Sequence, residues 1–543
     1  MIRQVIKNSI LQTLEKLNYT LPDNFSLDIE VPRDETHGDF STNAAMALAK
    51  SLKKNPREIA AQIKEKLDAS LFEKIDIAGA GFINFYLKNN LWHNLLKQVI
   101  TEDLNYGKIP QGPSSKKINL EFVSVNPTGP MHVAHGRWAV LGDSIANVLE
   151  HCGEIVTREY YVNDSGNQVD LLGKSLKARY LQALGEEVDF PENGYHGAYL
   201  TEFAEKLKEQ YGDSLKNDTY EKFRQTGINY MMNLIKDCLK SANVSFDKYF
   251  FESELHKEDA VNKTLNKLKA SGHTYEKDGA VFFKSTDFGD DKDRVIVKED
   301  KQNTYFLADI AYHLNKLERG FNLLVNIWGA DHHGYINRMK AALAALGFSP
   351  DTLILIIGQL VTLTKSGEIV KMSKRSGEMV TFQELIDEVG KDAVRFIYLT
   401  KSSNSNLEFD IELAKKQSQE NPVYYVQYAH ARICSILRNA PEMPEIDNVN
   451  LALLTEKEEI DILKKIEALP GLIRICGKSM EAHQLTHYSQ ELSSLFHSFY
   501  NKHKVLNDDD KEMTFARLYL IKAIQIILNL IGKLLGVTMP EKM

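Results

Sequence analysis

The stretch NLEFVSVNPTGPMHVAHGRWAVLGDSIANVLEHCG, residues 119–153, decides the fold class. An apolar strand pattern runs into a loop that contains Pro127, Gly129 and Pro130, and a helical pattern follows and ends at Gly153. The apolar residues of this helix recur every three or four positions, at Trp138, Leu141, Ile145 and Val148. A strand, a loop and an amphipathic helix in this order predict the first unit of a parallel sheet covered by helices.

The same alternation of strands and helices continues to about residue 400. Its later strands include NLLVNIW, residues 322–328, and LILIIGQLV, residues 353–361. Between about residues 175 and 300, a charged helical stretch and then two hairpin-like patterns interrupt the alternation. We therefore expect an α/β domain over 107–400 with an insertion at about 175–300.

Two further units flank this domain. Residues 1–106 combine helical periods with a pair of strand patterns around a glycine turn, which predicts an α+β unit that ends at the Gly, Pro and Ser-rich segment GKIPQGPSSKK. After residue 405 no strand pattern is found, and four or five helical periods run to the end. Residues 401–543 are therefore expected to form an α-helix bundle.

Composition limits the function classes. With 543 residues the chain predicts three or four domains, and 43% hydrophobic and 26% charged residues exclude disordered or collagen-like proteins. A net charge of −8 argues against indiscriminate coating of nucleic acid but leaves room for a local basic groove. The four cysteines form no CxxC pair, so the sequence suggests neither a zinc ribbon nor a disulfide framework.

Neither end of the chain predicts membrane insertion. The N-terminus alternates apolar and charged residues and lacks the apolar core of a signal peptide, so we expect a cytoplasmic protein. The apolar run 521–537 is short for a bilayer span and carries a polar stripe, which favours a buried helix. No membrane partner is expected.

Two histidines stand at the start of the helix in the deciding stretch. His132 and His135 lie one turn apart at a predicted helix N-terminus, where free backbone N–H groups and the helix dipole favour anions. Their imidazoles could add donors toward the same phosphate. The alternative is a pair of surface or capping histidines.

A basic loop follows the last predicted strands. Lys371, Lys374 and Arg375 lie between glycines and serines, ahead of a helix that opens with the capping box Thr381 to Glu384. Such lysines can close over a triphosphate and neutralise the charge that develops during displacement at phosphorus. The alternative is a solvated basic loop.

Together, HVAH and KMSKR resemble the HIGH and KMSKS signatures of class I aminoacyl-tRNA synthetases, and the chain most resembles the arginyl-tRNA synthetase family. The resemblance covers all three units and includes EFVSVNPTGPMHV, REYYVNDSGNQ, WGADHHGYINRMKAAL, NPVYYVQYAHAR, VTMPEKM and, in the first unit, HGDFSTNAAMALAK. It implies an α/β multi-domain protein: a Rossmann-like parallel-sheet catalytic domain with an insertion, an N-terminal additional domain that contacts tRNA, and a C-terminal α-helical anticodon-binding domain.

The resemblance also implies the reaction. ATP and Mg²⁺ would activate L-arginine to arginyl-adenylate, and the arginyl group would then pass to the 3′-terminal ribose of tRNA(Arg). No metal bound by the protein itself is implied, and we expect a monomer. The alternatives are a class I synthetase for another amino acid and a catalytically inactive tRNA-binding paralogue.

Site residues are carried over from the resemblance by position. The implied catalytic residues are His132, His135, Lys371 and Lys374. The implied ATP-binding residues are His132, His135, Gly329, Asp331, Lys371, Met372, Ser373 and Lys374. Arginine is expected to contact Glu121, Asn126, His132, Tyr305 and Asp309. The anticodon is expected to contact Tyr424, Tyr425, Gln427, Tyr428 and Arg432.

The arginine and tRNA residues also fit their chemistry. A guanidinium requires carboxylates, and Tyr305 and Asp309 share one helix face because they lie four residues apart. Their alternative role is a surface hydrogen bond. In the last unit, Tyr424, Tyr428 and Arg432 form one stripe that could stack on unpaired bases. The alternative is core packing, which is the more frequent role of an aromatic stripe.

The chain departs from the family pattern at two positions. Ala134 stands where most relatives have glycine, and its methyl group is expected to pack near adenine. Ala330 stands before Asp331 where some relatives have glutamine, so one side-chain contact to the amino acid is missing.

Overall fold

The computed structural model describes residues 2–32, 34–370 and 380–543, without the side chains of Glu35, Asp331, His332 and His333. The N-terminal unit packs three helices against a three-stranded antiparallel sheet of order β1-β3-β2, and α4 leads out of it. Its elements are α1 Ile2–Lys16, β1 Phe40–Thr42, α2 Ala44–Leu52, α3 Pro56–Lys66, β2 Phe72–Ala78, β3 Phe82–Leu87 and α4 Asn89–Glu102.

The central domain is built on a five-stranded parallel sheet. Its first half comprises β4 Lys117–Glu121, α5 Val133–His151, β5 Ile155–Val162, α6 Asn167–Ala183, α7 Ala198–Tyr211, α8 Tyr220–Ser241 and β6 Lys248–Phe251. These β4–α5–β5 and β5–helices–β6 crossovers join parallel neighbours, as the apolar strands and amphipathic helices of the sequence predict. The expected doubly wound α/β architecture is confirmed.

An antiparallel three-stranded sheet and its helices follow β6. They comprise α9 Glu252–Lys257, α10 Ala260–Ala270, β7 Thr274–Lys277, β8 Ala280–Phe283 and β9 Arg294–Val297. The segment 175–300 is therefore not one continuous insertion, because β6 within it pairs with β5 as the edge strand of the main sheet. Four residues, KYFF, are too few to reveal this strand by periodicity.

The second half of the domain completes the sheet in the order β11-β10-β4-β5-β6. It comprises α11 Tyr305–Glu318, β10 Leu323–Gly329, α12 Ile336–Ala345 and β11 Leu353–Gly358. A small sheet of order β13-β12-β14 and short helices come next: β12 Val361–Lys365, β13 Glu368–Ile369, α13 Phe382–Val389, α14 Lys391–Tyr398, β14 Leu407–Asp410 and α15 Ile411–Lys415.

β14 corrects the expectation that no strand follows residue 405. It pairs in parallel with β12, and Phe409 within it is fully buried. The segment LEFD is too short to show an alternating pattern. Its conformation depends on pairing with β12, in which each partner residue lies 46 positions earlier in the chain.

The C-terminal unit is the expected helix bundle. It contains α16 Pro422–Arg438, α17 Lys457–Ser479, α18 His483–Lys502 and α19 Lys511–Leu535. Of the described helices, α19 alone is long and apolar enough to cross a membrane, and most of it is buried inside the protein. It packs on α16 and α18 and also on α4 and α5. The expectation of a buried helix is confirmed.

Candidate active site

The site lies where two neighbouring parallel strands end. β4 ends at Glu121 and β10 ends at Gly329, and the two strands are hydrogen-bonded neighbours. Ligands of open α/β sheets bind beyond the carboxyl ends of such strands. After β4 the backbone turns sharply, with positive φ at Val123 and Ser124, a conformation that a β-branched residue rarely adopts.

His132 and His135 form a stacked pair at the N-terminus of α5. His132 is the N-cap residue, and its Nδ1 accepts a hydrogen bond from the N–H of Ala134. The Nδ1 of His135 accepts one from the N–H of His132, and the two ring centroids lie 3.4 Å apart. Because Nδ1 is an acceptor in both, each neutral ring carries its proton on Nε2. The pair thus supplies two oriented donors beside a helix N-terminus.

The backbone that follows the KMSKR motif is hydrogen-bonded to the backbone at the start of the HVAH motif. The N–H of Phe382 donates to the carbonyl of Met131, and Thr381 forms a bridge with His132. Gly136 permits this approach, because a Cβ at that position would overlap the ring of Phe382. The implied residues Lys371, Met372, Ser373 and Lys374 lie outside the described residues.

Arg137 binds the small sheet β13-β12-β14, whose strands flank the second motif in the chain. This buried guanidinium, 2% exposed, donates to the carbonyls of Gln359, Ser402 and Ser405, at 3.2, 2.9 and 2.8 Å. Gln359 comes just before β12, and Ser405 just before β14. The helix that follows His132 therefore also holds β12, which precedes the lysine motif in the chain, and β14, which follows it.

A cavity of about 280 Å³ opens near the carboxyl ends of β4 and β10. Its volume is below the range typical of drug-sized ligands, roughly 300–1,000 Å³, and suits one amino-acid side chain. Its lining is acidic and aromatic and consists of Glu121, Tyr161, Tyr305, Asp309, Tyr312, His313, Trp328 and Tyr335. Three of the five expected arginine contacts, Glu121, Tyr305 and Asp309, are therefore brought together.

The carboxylate of Asp309 in the cavity wall is hydrogen-bonded to a neutral side chain. The hydroxyl of Tyr335 donates to its Oδ2 over 2.7 Å. Burial, together with the nearby carboxylates of Glu121 and Glu252, raises the pKa of Asp309 to about 7. Tyr305, one turn earlier on α11, stands at the entrance with 74% of its surface exposed. A cation that enters the cavity would lower the pKa of Asp309.

Glu121 is instead matched by a lysine of the protein. The fully buried ammonium of Lys316 lies 2.5 Å from its Oε2 and also donates to Asn326. Asn326 in turn donates to Nε2 of His313, whose Nδ1 faces the carbonyl of Asp309. Burial lowers the pKa of His313 to about 3, so this ring is neutral. A continuous polar network thus supports the floor of the cavity.

Asn126, the remaining expected contact besides His132, lies outside the cavity lining. It is exposed in the loop after β4, and its Nδ2 donates to Oε1 of Gln168 over 2.7 Å. Gly329 ends β10 opposite Gly358 of β11, and Trp138 packs against Gly358 so closely that a Cβ there would overlap the indole. The side chain of Asp331 lies outside the described part of the chain.

Comparisons with known proteins match every part of the chain. Residues 4–87 match the arginyl tRNA synthetase N terminal domain, residues 96–415 the class I (R) tRNA synthetase catalytic domain, and residues 426–543 the DALR anticodon binding domain. An arginine–tRNA ligase of Bacillus licheniformis is 46% identical, with 100% of this chain and 98% of the relative covered. The chain belongs to the arginyl-tRNA synthetase family.

Other members of the arginyl-tRNA synthetase family give the same result. The arginine–tRNA ligase of Bacillus subtilis is 46% identical over 95% of this chain and 94% of its own length. The structure of Thermus thermophilus arginyl-tRNA synthetase aligns with a TM-score of 0.78 over 100% of both chains at 21% identity, a likeness of fold. The chain is thus an arginine–tRNA ligase with arginine and tRNA(Arg) as partners, and its class uses ATP as substrate.

The helix bundle of this synthetase presents the expected aromatic stripe. Tyr424 and Tyr428 stack with centroids 6.2 Å apart, and the Arg432 guanidinium lies 5.7 Å from the Tyr428 ring. Tyr425 and Tyr428 both lie against His497 of α18. Gln427 donates to the carbonyl of Thr538 and to Asp392, so in this structure it binds the chain's own C-terminal segment. Its expected tRNA contact would have to displace or share these bonds.

Sequence reasoning missed several residues of the site. Tyr335, Tyr161 and Tyr312 line the cavity, and Lys316 neutralises Glu121. For Lys316 a signal existed, since seven residues, two helical turns, separate it from Asp309 on the same helix.

Proposed function

We propose that this ligase binds the guanidinium of arginine against Asp309 and activates the carboxylate beside His132 and His135. The observation that carries the proposal is the aromatic cavity with Asp309 at its wall. Aromatic faces attract a planar cation, and an aspartate without a matched cation prefers one from the substrate. Tyr305 would cover the alkyl stem at the entrance.

The reaction joins arginine to ATP at the α-phosphorus. A carboxylate oxygen of arginine attacks phosphorus, the bond to the bridging oxygen breaks, and pyrophosphate leaves with Mg²⁺, which enters with ATP as part of the substrate. His132 and His135 would donate from Nε2 to the phosphoryl oxygens, as their bound Nδ1 atoms favour. Lys371 and Lys374 would stabilise the leaving charge, with Met372 and Ser373 beside them.

Further residues would complete the nucleotide and amino-acid contacts. Gly329 would admit the adenosine closely, and Asp331 would accept its ribose hydroxyls. Asn126 would meet the α-ammonium of arginine, and Glu121 would contribute through its pair with Lys316. In the second step a ribose hydroxyl of the tRNA attacks the carbonyl carbon of the adenylate, and AMP leaves.

The three units would divide the work. We assign residues 1–106 to tRNA contact, 107–400 to catalysis and 401–543 to the anticodon. Tyr424, Tyr425, Tyr428 and Arg432 are half-buried and offer planar groups to unpaired bases, whereas Gln427 would act after release from Thr538. We further propose a monomer that works in the cytoplasm, away from membranes.

Citrulline provides the sharpest test, because it replaces the guanidinium with a neutral group of similar shape. Pyrophosphate exchange with tRNA present should favour arginine by about 10⁴ or more, as in sites built around a polar partner. Asp309→Asn should lose most of this preference, whereas Asp351→Asn, an exposed carboxylate of the same domain, should keep it. Equal exchange with both amino acids in the unmutated enzyme would refute the assignment.

A further inference from the structure

The guanidinium of Arg395, on α14, joins three distant parts of the chain. It is fully buried and donates to the carbonyl of Leu535 at 2.8 Å and to the carbonyls of Ala242 and Asn243 at 2.9 and 3.1 Å. Its Nη2 also lies 2.6 Å from Oδ2 of Asp143 on α5. One side chain thus connects α5, the helix that begins at the HVAH motif, with the end of α8 and the end of α19.

Helix α5 also reaches α19 directly. The amide of Asn147 donates to the carbonyl of Leu534 at 3.2 Å, and the hydroxyl of Ser144 donates to that of Leu535 at 3.4 Å. The last carbonyls of a helix lack partners within the helix and carry its negative dipole end. Arg395 and the two α5 side chains therefore satisfy the C-terminus of α19 with donors, one of them charged.

The charge of Arg395 is balanced within this junction. Asp143 is buried and lies 3.7 Å from Nε of Arg158, which in turn pairs with Glu150. A planar guanidinium can bind a carboxylate and several carbonyls at once, which a lysine ammonium cannot do with the same geometry. The side chain at position 395 therefore determines the spacing of the elements it joins.

Gly536 shows how tightly the junction is packed. It ends α19 in the left-handed conformation at φ +68°, and a Cβ at this position would overlap the guanidinium of Arg395. Glycine is thus required here for two reasons, its backbone conformation and the space that Arg395 occupies.

We propose that Arg395 is a positioning residue that fixes α5, and with it His132 and His135, against α19 of the anticodon-binding domain. It touches no reacting atom and acts through Asp143 on the same helix that carries the histidines. The proposal rests on the proposed role of these histidines, because only then does the placement of α5 set the rate of adenylate formation.

Two variants disturb the junction in different ways. Gly536→Ala adds a methyl group against the guanidinium, and Arg395→Lys shortens the reach to the carbonyls. Each should lower kcat of pyrophosphate exchange by about tenfold or more, since small misplacements of reacting groups cost up to about 10² in rate. The KM for tRNA should stay within twofold. The double variant should be no slower than the slower single one, because both act on one contact.

A matched control separates this effect from backbone strain. Gly289 also ends a helical turn in the left-handed conformation, at φ +88°, but a Cβ there would meet nothing within 4 Å. Gly289→Ala should therefore keep the unmutated kcat and lose only the thermal stability that the backbone strain costs. His135→Asn, measured in parallel, tests the proposed role of the histidines alone.

Three results would overturn the positioning role. The first is a Gly536→Ala variant whose kcat per titrated active site equals that of the unmutated enzyme and whose melting temperature alone is lower. Another is a raised KM for tRNA with kcat unchanged, and the third is additive losses in the double variant. If Arg395→Lys does not fold, Gly536→Ala decides alone. Loss of activity in His135→Asn beside normal kcat in Gly536→Ala would refute the junction's role but not the proposed function.

Discussion

Tyr335 donates its hydroxyl proton to Oδ2 of Asp309 over 2.7 Å, and this bond joins α11 to the segment that follows β10. Tyr335 also packs edge-on against Trp328, the last residue but one of β10, with the ring centroids 5.9 Å apart. The orientation of the carboxylate is therefore set by a residue that reaches it from the opposite wall of the cavity. A substrate cation would meet a carboxylate with one oxygen already engaged.

Removal of that hydroxyl should weaken arginine binding. In Tyr335→Phe the ring is kept and the hydrogen bond is lost, and hydrogen bonds to charged groups contribute about 1.5–3 kcal/mol. The KM for arginine should rise by about ten- to a hundredfold, with the KM for ATP unchanged. Steady-state pyrophosphate exchange measures both. An unchanged arginine KM would show that Tyr335 does not orient Asp309.

The raised pKa of Asp309 predicts a pH dependence of arginine binding. Only the ionised carboxylate pairs with guanidinium, and below a pKa of about 7 the protonated form predominates. The KM for arginine should therefore rise as pH falls, by about tenfold between pH 8 and pH 6. In Asp309→Asn the KM should be high and flat over the same range. A rise with the same midpoint in the Asn variant would assign the titration to another group.

The methyl group of Ala134 should tolerate removal but not enlargement. Ala134 is 5% exposed, and its N–H holds Nδ1 of His132. Ala134→Gly should change the KM for ATP by less than about tenfold, whereas Ala134→Val adds branched bulk to a packed contact at a typical cost of about 1–3 kcal/mol. ATP titrations of aminoacylation test the difference. Equal behaviour of both variants would place Ala134 away from adenine.

The Tyr424–Tyr428 stripe should contribute to tRNA affinity through its ring planes. Tyr428→Ala should raise the KM for tRNA by an amount equivalent to about 1–3 kcal/mol if a base stacks there. Tyr428→Phe keeps the plane and should remain near the unmutated value. Filter binding of tRNA and a thermal melt are measured on the same samples. Lower stability with normal tRNA affinity in the Ala variant would favour core packing.

The fold was predictable where the periodicity was long. The helix 133–151 and its preceding strand follow from apolar spacing alone. The strands Lys248–Phe251 and Leu407–Asp410 were missed because each has four residues and lacks a hairpin partner beside it, unlike the equally short β7 and β8. Their conformation comes from distant pairing partners, which a local pattern does not contain.

The site was predictable in part for a similar reason. Tyr305 and Asp309 share a helix face, so their common location follows from spacing, whereas Tyr335 lies 26 residues from Asp309 in another element. The pairing of Glu121 with Lys316 depends on how α11 lies across β4, and this relation appears only in three dimensions.

The location of α19 has a consequence for folding while the protein is being synthesised. This helix is synthesised hundreds of residues after α4 and α5, yet it covers apolar surface on both. Until α19 has been made, those surfaces lack their cover, and a nascent chain is prone to aggregation. Truncation within α19 should therefore also destabilise α4 and α5, and nascent chains should become resistant to proteolysis only once α19 has been made.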